Sequence, residues 1–139
     1  MRLTRYTDYA LRVLIHLAAH EDQLTSISEI SRGYGISHNH LMKVVHDLGK
    51  AGYVTSVRGR AGGIRLAKPA DAINVGDVVR HTEGGFDLVD CDSCVLAPAC
   101  GLTGVLNQAL NAFMAVLDRY TIADFMNKRN ALRKIFDAA

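Results

Sequence analysis

From Thr4 to Ala19 the apolar positions Tyr6, Ala10, Val13, Leu14 and Leu17 recur at the three- and four-residue intervals of one helical face. Thr4 stands where an N-cap belongs, so the spacing predicts a first helix. In the next stretch, SISEISRGYGISHNHLMKVVHDLGKAGYV, Ser26 and Glu29 have the Ser-x-x-Glu order of a capping box, and Gly33 and Gly35 break the helix that the box starts. Ser37 caps a third helix, whose apolar stripe runs through Leu41, Val44, Val45 and Leu48 before Gly49 and Gly52 stop it. Two short helices about a glycine turn give the outline of a helix-turn-helix.

The pattern then changes period. YVTSVRGRAGGIRLAKP predicts a strand from Tyr53 to Val57, a turn of Arg-Gly-Arg-Ala-Gly-Gly, and a returning strand from Ile64 to Ala67 ended by Pro69. Asn74, with Asp77 three residues on, opens a fourth helix that buries Val75, Val78 and Val79. Gly84 and Gly85 release the chain into a stretch without periodicity up to Pro98. Beyond it Leu102, Leu106, Ala109, Phe113, Val116 and Tyr120 alternate at four and three residues, a heptad seam that calls for a second helix of similar length. No other segment offers one, so a homodimer is expected, with the helix folding back on its own domain as the alternative. Thr121 and Asp124 form another capping pair, for a short terminal helix expected to pack back on the dimer. The fold class that follows is mainly α with a small β-hairpin: a winged helix-turn-helix domain plus a long dimerisation helix. Residues 1–83 form the winged domain, 84–101 a cysteine loop, and 102–139 the dimerisation and C-terminal helices.

Composition fits this picture. The chain has 139 residues, 49% hydrophobic and 22% charged, enough for one packed core and unlike a disordered or fibrous sequence. Its N-terminal stretch lacks a long apolar span and a small-residue cleavage site, so a soluble, cytoplasmic protein with no membrane partner is expected. Charge is uneven: residues 1–68 carry ten Lys or Arg against five Asp or Glu, a net +5, whereas residues 69–139 carry six against nine, a net −3. The basic half is the half with the helix-turn-helix and the hairpin, which suits double-stranded DNA. The third helix would enter the major groove with Ser37, His38, Asn39, His40 and Lys43 toward the base edges, and Arg58 and Arg60 on the wing would meet phosphates or a narrow minor groove. Ser37 is equally explained as a cap, and His38 and His40 as solvent-facing side chains. Nothing in the sequence suggests an enzyme: there is no Gly-rich phosphate loop, and no Ser-His-Asp or paired-carboxylate arrangement stands out.

All three cysteines, Cys91, Cys94 and Cys100, lie in DCDSCVLAPACGL, spaced C-x2-C-x5-C. In a reducing compartment that spacing favours metal ligands or redox thiols over a disulfide framework. Cys100 falls at the start of the seam helix, where free backbone N–H groups favour thiolate. Zinc and an iron-sulfur cluster both fit three such thiolates, and the fourth position is open to Asp90, Asp92, His81, a more distant residue or an exchangeable molecule. Structural zinc usually has a complete Cys and His set, whereas a cluster with one labile iron suits a sensor. A zinc-bound or thiol-redox winged-helix regulator stays as the alternative.

Several segments together, LTRYTDYALR, the helix-turn-helix stretch, VRGRAGGIRLAKP, INVGDVV, and PACGL leading to LDRYTIADF, resemble the family of winged-helix iron-sulfur regulators that includes IscR, and within it the nitric-oxide-sensing repressors. The likeness covers almost the whole chain. It implies a dimeric repressor of a palindromic operator whose three cysteines hold a 2Fe-2S or 4Fe-4S cluster, with nitric oxide as effector: nitrosylation or loss of the cluster would release the DNA. It also implies that Asp8, in RYTDYALR, reaches the cluster of the opposite subunit; read from the residues alone, Asp8 is a first-turn acid complementing the helix dipole. The two residues between Cys91 and Cys94 are fewer than the family pattern has, which leaves two-iron and four-iron forms both open.

Overall fold

The computed structural model describes residues 1–138. Six α-helices and one hairpin follow in the order α1 (Arg5–Ala19), α2 (Ile27–Tyr34), α3 (His38–Lys50), β1 (Val54–Val57), β2 (Gly63–Leu66), α4 (Val75–Glu83), α5 (Leu102–Leu117) and α6 (Arg129–Asp137). Short 3-10 segments, Ala70–Ala72 and Ile122–Lys128, precede α4 and α6. The expected caps are in place: side chains of Thr4, Ser26, Ser37 and Asn74 accept the backbone N–H of Thr7, Glu29, His40 and Asp77 at 3.0 to 3.4 Å. Both halves of a capping box close at Thr121 and Asp124. At Ser26 only the hydroxyl half is made among the described residues, so that box is a single cap.

α1 is the hub. Its Ala10, Val13, Leu14 and Leu17 are fully buried against Ile30 of α2, Leu41, Val44 and Leu48 of α3, and Val78 and Val79 of α4. Burying a side chain the size of Leu14 or Leu17 is worth about 1.5–3 kcal/mol, so this stripe dominates the cohesion of the domain. Gly33 does not break α2 as expected; it lies inside the helix, and Gly35 ends it in the left-handed conformation at φ 65°. Gly33 has another reason to lack a side chain: a Cβ there would lie 2.2 Å from the Phe136 ring.

The hairpin pairs β1 and β2 antiparallel from Val54↔Leu66 to Val57↔Gly63. Thr25 extends it by two backbone bonds to Ile64, at 2.8 and 3.0 Å, which ties the wing to the helix-turn-helix. At its tip a Cβ on Gly62 would meet the Val57 carbonyl oxygen at 2.1 Å, so that turn needs glycine.

α5 departs from the expected seam. The inward face is Leu110, Phe113, Met114 and Leu117, packed on the same chain's core, so Phe113 does not belong to an outward stripe and Leu106 is half-buried. The outward face is Leu102, Val105, Ala109, Ala112 and Val116, exposed at intervals of three, four, three and four. The sequence offers both stripes because α5 is apolar nearly all round; burial against α4 decides which faces out. Asp118, just past α5, takes two bonds from Arg80 of α4 at 2.6 and 2.7 Å, fixing the two helices together. α6 folds back on α1 and α2 of its own chain, with Phe136 against His16, His20 and Tyr34 and with Arg129 on Glu21 at 2.9 Å. The terminal helix therefore docks on α1 and α2 of its own subunit.

Candidate nucleic-acid interface and metal centre

α3 buries one face and presents the other. Ser37, His38, Asn39 and Lys43 are exposed, and so are Arg58 and Arg60 at the wing tip. His40 is half-buried because the Tyr9 ring of α1 meets it edge-on, with centroids 4.8 Å apart, so one face of the imidazole is already in contact. The exposed surface extends past the expected residues to Met42, His46 and Lys50 on α3 and to Arg65 on β2. Their signal was in the sequence, since positions 39, 42, 43, 46 and 50 share the face opposite Leu41, Val44, Val45 and Leu48. Behind α3, Asp47 accepts from His81 of α4 at 2.9 Å. Burial and a hydrogen bond to the same Asp47 push the Tyr6 phenol up to about 12. His81 is thus committed to α3, away from the thiols.

In the cysteine loop the chain turns twice, Cys94 N–H donating to the Cys91 carbonyl and Ala97 N–H to the Cys94 carbonyl, each at 3.3 Å. Cys91 Sγ lies 3.2 Å from the Thr103 hydroxyl of α5, at the wall of a cleft of about 650 Å³ lined by Phe86, Val89, Asp90, Thr103 and Leu106. Cys100 sits just before α5, and its Sγ accepts the Leu102 N–H at 3.4 Å, so the first free donor of the helix already faces sulfur. Asp90 turns back to accept the Asp92 N–H at 3.1 Å. All three thiols are free, Cys94 and Cys100 exposed and Cys91 half-buried. Among the described residues, no three His, Cys, Asp or Glu side chains converge on a metal position. The donor set fits an iron-sulfur group in kind: three accessible thiols, one of them at a helix N-terminus, on a loop of turns rather than regular structure.

Asp8 projects from the first turn of α1 and is held by Arg12 through two bonds, at 2.8 and 2.9 Å. That hydrogen bond in turn raises the Arg12 pKa. The Arg12 guanidinium lies 6.0 Å from the Tyr9 ring centre, so Asp8, Arg12, Tyr9 and His40 form a continuous line from the first helix to the recognition helix.

The profile of a family described as "Iron-dependent Transcriptional regulator", Rrf2, matches residues 3–128. The chain belongs to the Rrf2 family. As an Rrf2 transcriptional regulator it is a DNA-binding protein. It is 52% identical to the HTH-type transcriptional regulator NsrR of Bacillus licheniformis, over 97% of this chain and 99% of that one. With NsrR of Bacillus subtilis strain 168 it shares 50% identity, over 97% of each chain. Among solved structures, CymR, the global cysteine regulator of B. subtilis, superposes with a TM-score of 0.70 at 30% identity, covering 89% of this Rrf2 chain and 95% of CymR. IscR of T. potens gives 0.75 at 28% identity, covering 91% and 86%. The mainly helical, winged architecture is therefore that of known Rrf2 proteins, and no described helix is long and apolar enough to cross a membrane.

Proposed function

We propose that this Rrf2 protein is a dimeric repressor whose Cys91, Cys94 and Cys100 hold an iron-sulfur cluster, and that nitric oxide, by reacting with the cluster, frees operator DNA. One observation carries the reading: every thiol in the chain is confined to one ten-residue stretch between the winged unit and the helix with the apolar outer face. The near half-identity to two NsrR proteins over almost their whole length supports it. In this reading residues 1–83 read DNA, 84–101 hold the cluster and, within 102–139, α5 pairs the subunits while α6 closes each subunit on its own α1 and α2.

When bound, such a cluster supplies iron that nitric oxide attacks. The protein's part is to grip it by three sulfurs and leave one position to a weaker ligand. Asp8 of the opposite subunit would fill that position, as the family likeness implies; its carboxylate oxygen is a harder and weaker partner for cluster iron than thiolate. Leu102, Val105, Ala109, Ala112 and Val116 of α5 pair with their copies, having the three-four spacing of a coiled-coil seam. Two-fold symmetry then sets two α3 helices against a palindromic operator, with half-sites about a whole number of DNA turns apart. Ser37, His38, Asn39, His40 and Lys43 face base edges, while Arg58 and Arg60 take phosphates. Losing the Asp8 tie lets that spacing drift, and a change from mostly bound to mostly free DNA needs a differential of roughly 5 kcal/mol between the two states.

The test is anaerobic purification, an absorbance spectrum with iron and sulfide assays, and promoter binding before and after nitric oxide. Coloured protein with iron and sulfide that leaves DNA on exposure is expected. Colourless, iron-free protein with unchanged DNA affinity overturns the reading. Bound zinc would favour a zinc regulator, and a Cys91–Cys94 disulfide after mild oxidation a thiol switch.

A further inference from the structure

The box opened by Thr4 cannot be completed within α1, because the third helical position, where a Glu or Gln is needed, holds Thr7. Glu83, the last residue of α4, supplies the missing carboxylate. Its Oε2 accepts the Thr4 backbone N–H at 3.0 Å, the Thr4 hydroxyl at 2.7 Å, and the Thr7 hydroxyl as well. The Thr82 hydroxyl meets that of Thr7 at 2.7 Å. Burial works to raise the Glu83 carboxyl, but the bonds from Thr7 and Thr4 outweigh it and hold the group below the usual carboxylate range. The same turn of α4 carries His81, bound to Asp47 of the recognition helix at 2.9 Å. One turn of α4 therefore grips both the start of α1, with Asp8 in its first turn, and the back of α3.

That turn is also the last helical turn before the cysteine loop. Gly84 at φ 71° and Gly85 at φ 149° set an exit direction that other residues rarely adopt. Phe86 then packs half-buried against the core, and Cys91 follows within the same short stretch. We propose that the terminal turn of α4 is the joint through which the cysteine loop sets the positions of α1 and α3, with Glu83 as its positioning residue. The proposal rests on the cluster-gated reading above and names the part that transmits it. The two Thr4 bonds are 3.0 and 2.7 Å long, so a shift of about 1 Å at the Glu83 carboxylate carries both beyond hydrogen-bond distance and loosens the α1 cap.

The experiment uses the full-length dimer, cluster-loaded and cluster-free, titrated onto a fluorescent duplex carrying its own promoter, for the parent, Glu83→Ala and Glu83→Gln. Amide hydrogen exchange across Thr4–Asp8 is read on the same samples. Glu83→Ala is expected to keep the cluster absorbance, iron and sulfide, while loaded-protein affinity falls about five- to tenfold toward the cluster-free value, the scale of one lost cap. Exchange across Thr4–Asp8 should quicken. Glu83→Gln, whose amide oxygen still accepts these bonds, should restore most of the affinity. A Glu83→Ala dimer that is gated as strongly as the parent overturns the joint alone. A parent protein whose DNA affinity ignores its cluster overturns the gated reading and the joint with it.

Discussion

His16 is buried in the contact between α1 and α6, 2% exposed, with its ring stacked on His20 at 4.2 Å and edge-on to Phe136 at 4.1 Å. Its Nδ1 lies 3.1 Å from the Tyr34 hydroxyl, and its Nε2 has no partner among the described residues. Desolvation, helped by His20, lowers its pKa from the ordinary 6.5 to about 4. The folded protein thus binds fewer protons here than the unfolded chain. Stability is intact above the unfolded pKa, declines as pH falls below it, and levels off below the folded one. At one pKa unit per 1.36 kcal/mol, the loss reaches about 2 kcal/mol by about pH 5 and about 3 kcal/mol below pH 4.

The perturbation is His16→Leu, which cannot be charged and keeps an apolar group against Phe136. Urea unfolding of cluster-free protein at one fixed concentration, at about pH 7.5 and about pH 5, reads the difference. The parent should lose about 2 kcal/mol more than the variant over that interval. His16→Leu also gives up the Tyr34 contact, but that cost is the same at both pH values and drops out of the slope. The other charged groups at this contact, Asp137 4.0 Å from His20 and the Glu21–Arg129 and Asp22–Arg133 pairs, are shared by both proteins. Equal acid losses in parent and variant would refute the reasoning.

Three further outcomes follow from the packing and the interface. Gly33→Ala gains about 1 kcal/mol of helix propensity but sets a Cβ 2.2 Å from Phe136, an overpacking cost of about 1–3 kcal/mol, so a net loss and faster amide exchange in α6 are expected. Val105→Glu changes a side chain that is 59% exposed in the single chain, so sedimentation should show a monomer with its circular dichroism unchanged; a stable dimer would place the subunit contact elsewhere. Arg58→Ala should weaken promoter binding and reduce the salt slope by about one unit, whereas Asn39→Ala should change which sequences are preferred; variants that bind every duplex like the parent would move the interface off α3 and the wing.

The helix-turn-helix, the wing and the five caps at Thr4, Ser26, Ser37, Asn74 and Thr121 were legible because each rests on a local rule: a capping side chain, a left-handed glycine, a stripe at helical spacing. Gly33 shows where such rules stop. Its role in α2 is set by Phe136 from the far end of the chain, and nothing within a few residues records that. α5 fails differently, since a helix apolar on most of its surface carries two plausible stripes and only the packing of Phe113 and Met114 beneath α4 selects the outward one. The completion of the α1 cap by Glu83 was equally hidden, because a capping box is sought three residues on and here its acid comes from another helix.

The candidate metal site divides along the same line. Which residues could serve is a matter of chemical type and spacing, and three thiols in ten positions declare themselves. Where they come together is a matter of long-range geometry, and the single subunit does not assemble them. Asp8 makes the point in energetic terms. Among the described residues of the subunit it is held only by Arg12, an exposed i,i+4 pair of the kind worth about 0.3–0.5 kcal/mol. That is far less than a metal-ligand bond, so on the proposed ligation the pair would hold the carboxylate at the surface without competing for it. Were Asp8 drawn away as the proposed function requires, the Arg12 guanidinium beside Tyr9 would lose its partner, and Tyr9 is the residue that rests on His40. On the proposed function, a ligand exchange at the start of α1 would therefore reach the first turn of the recognition helix through three side-chain contacts, Asp8–Arg12, Arg12–Tyr9 and Tyr9–His40.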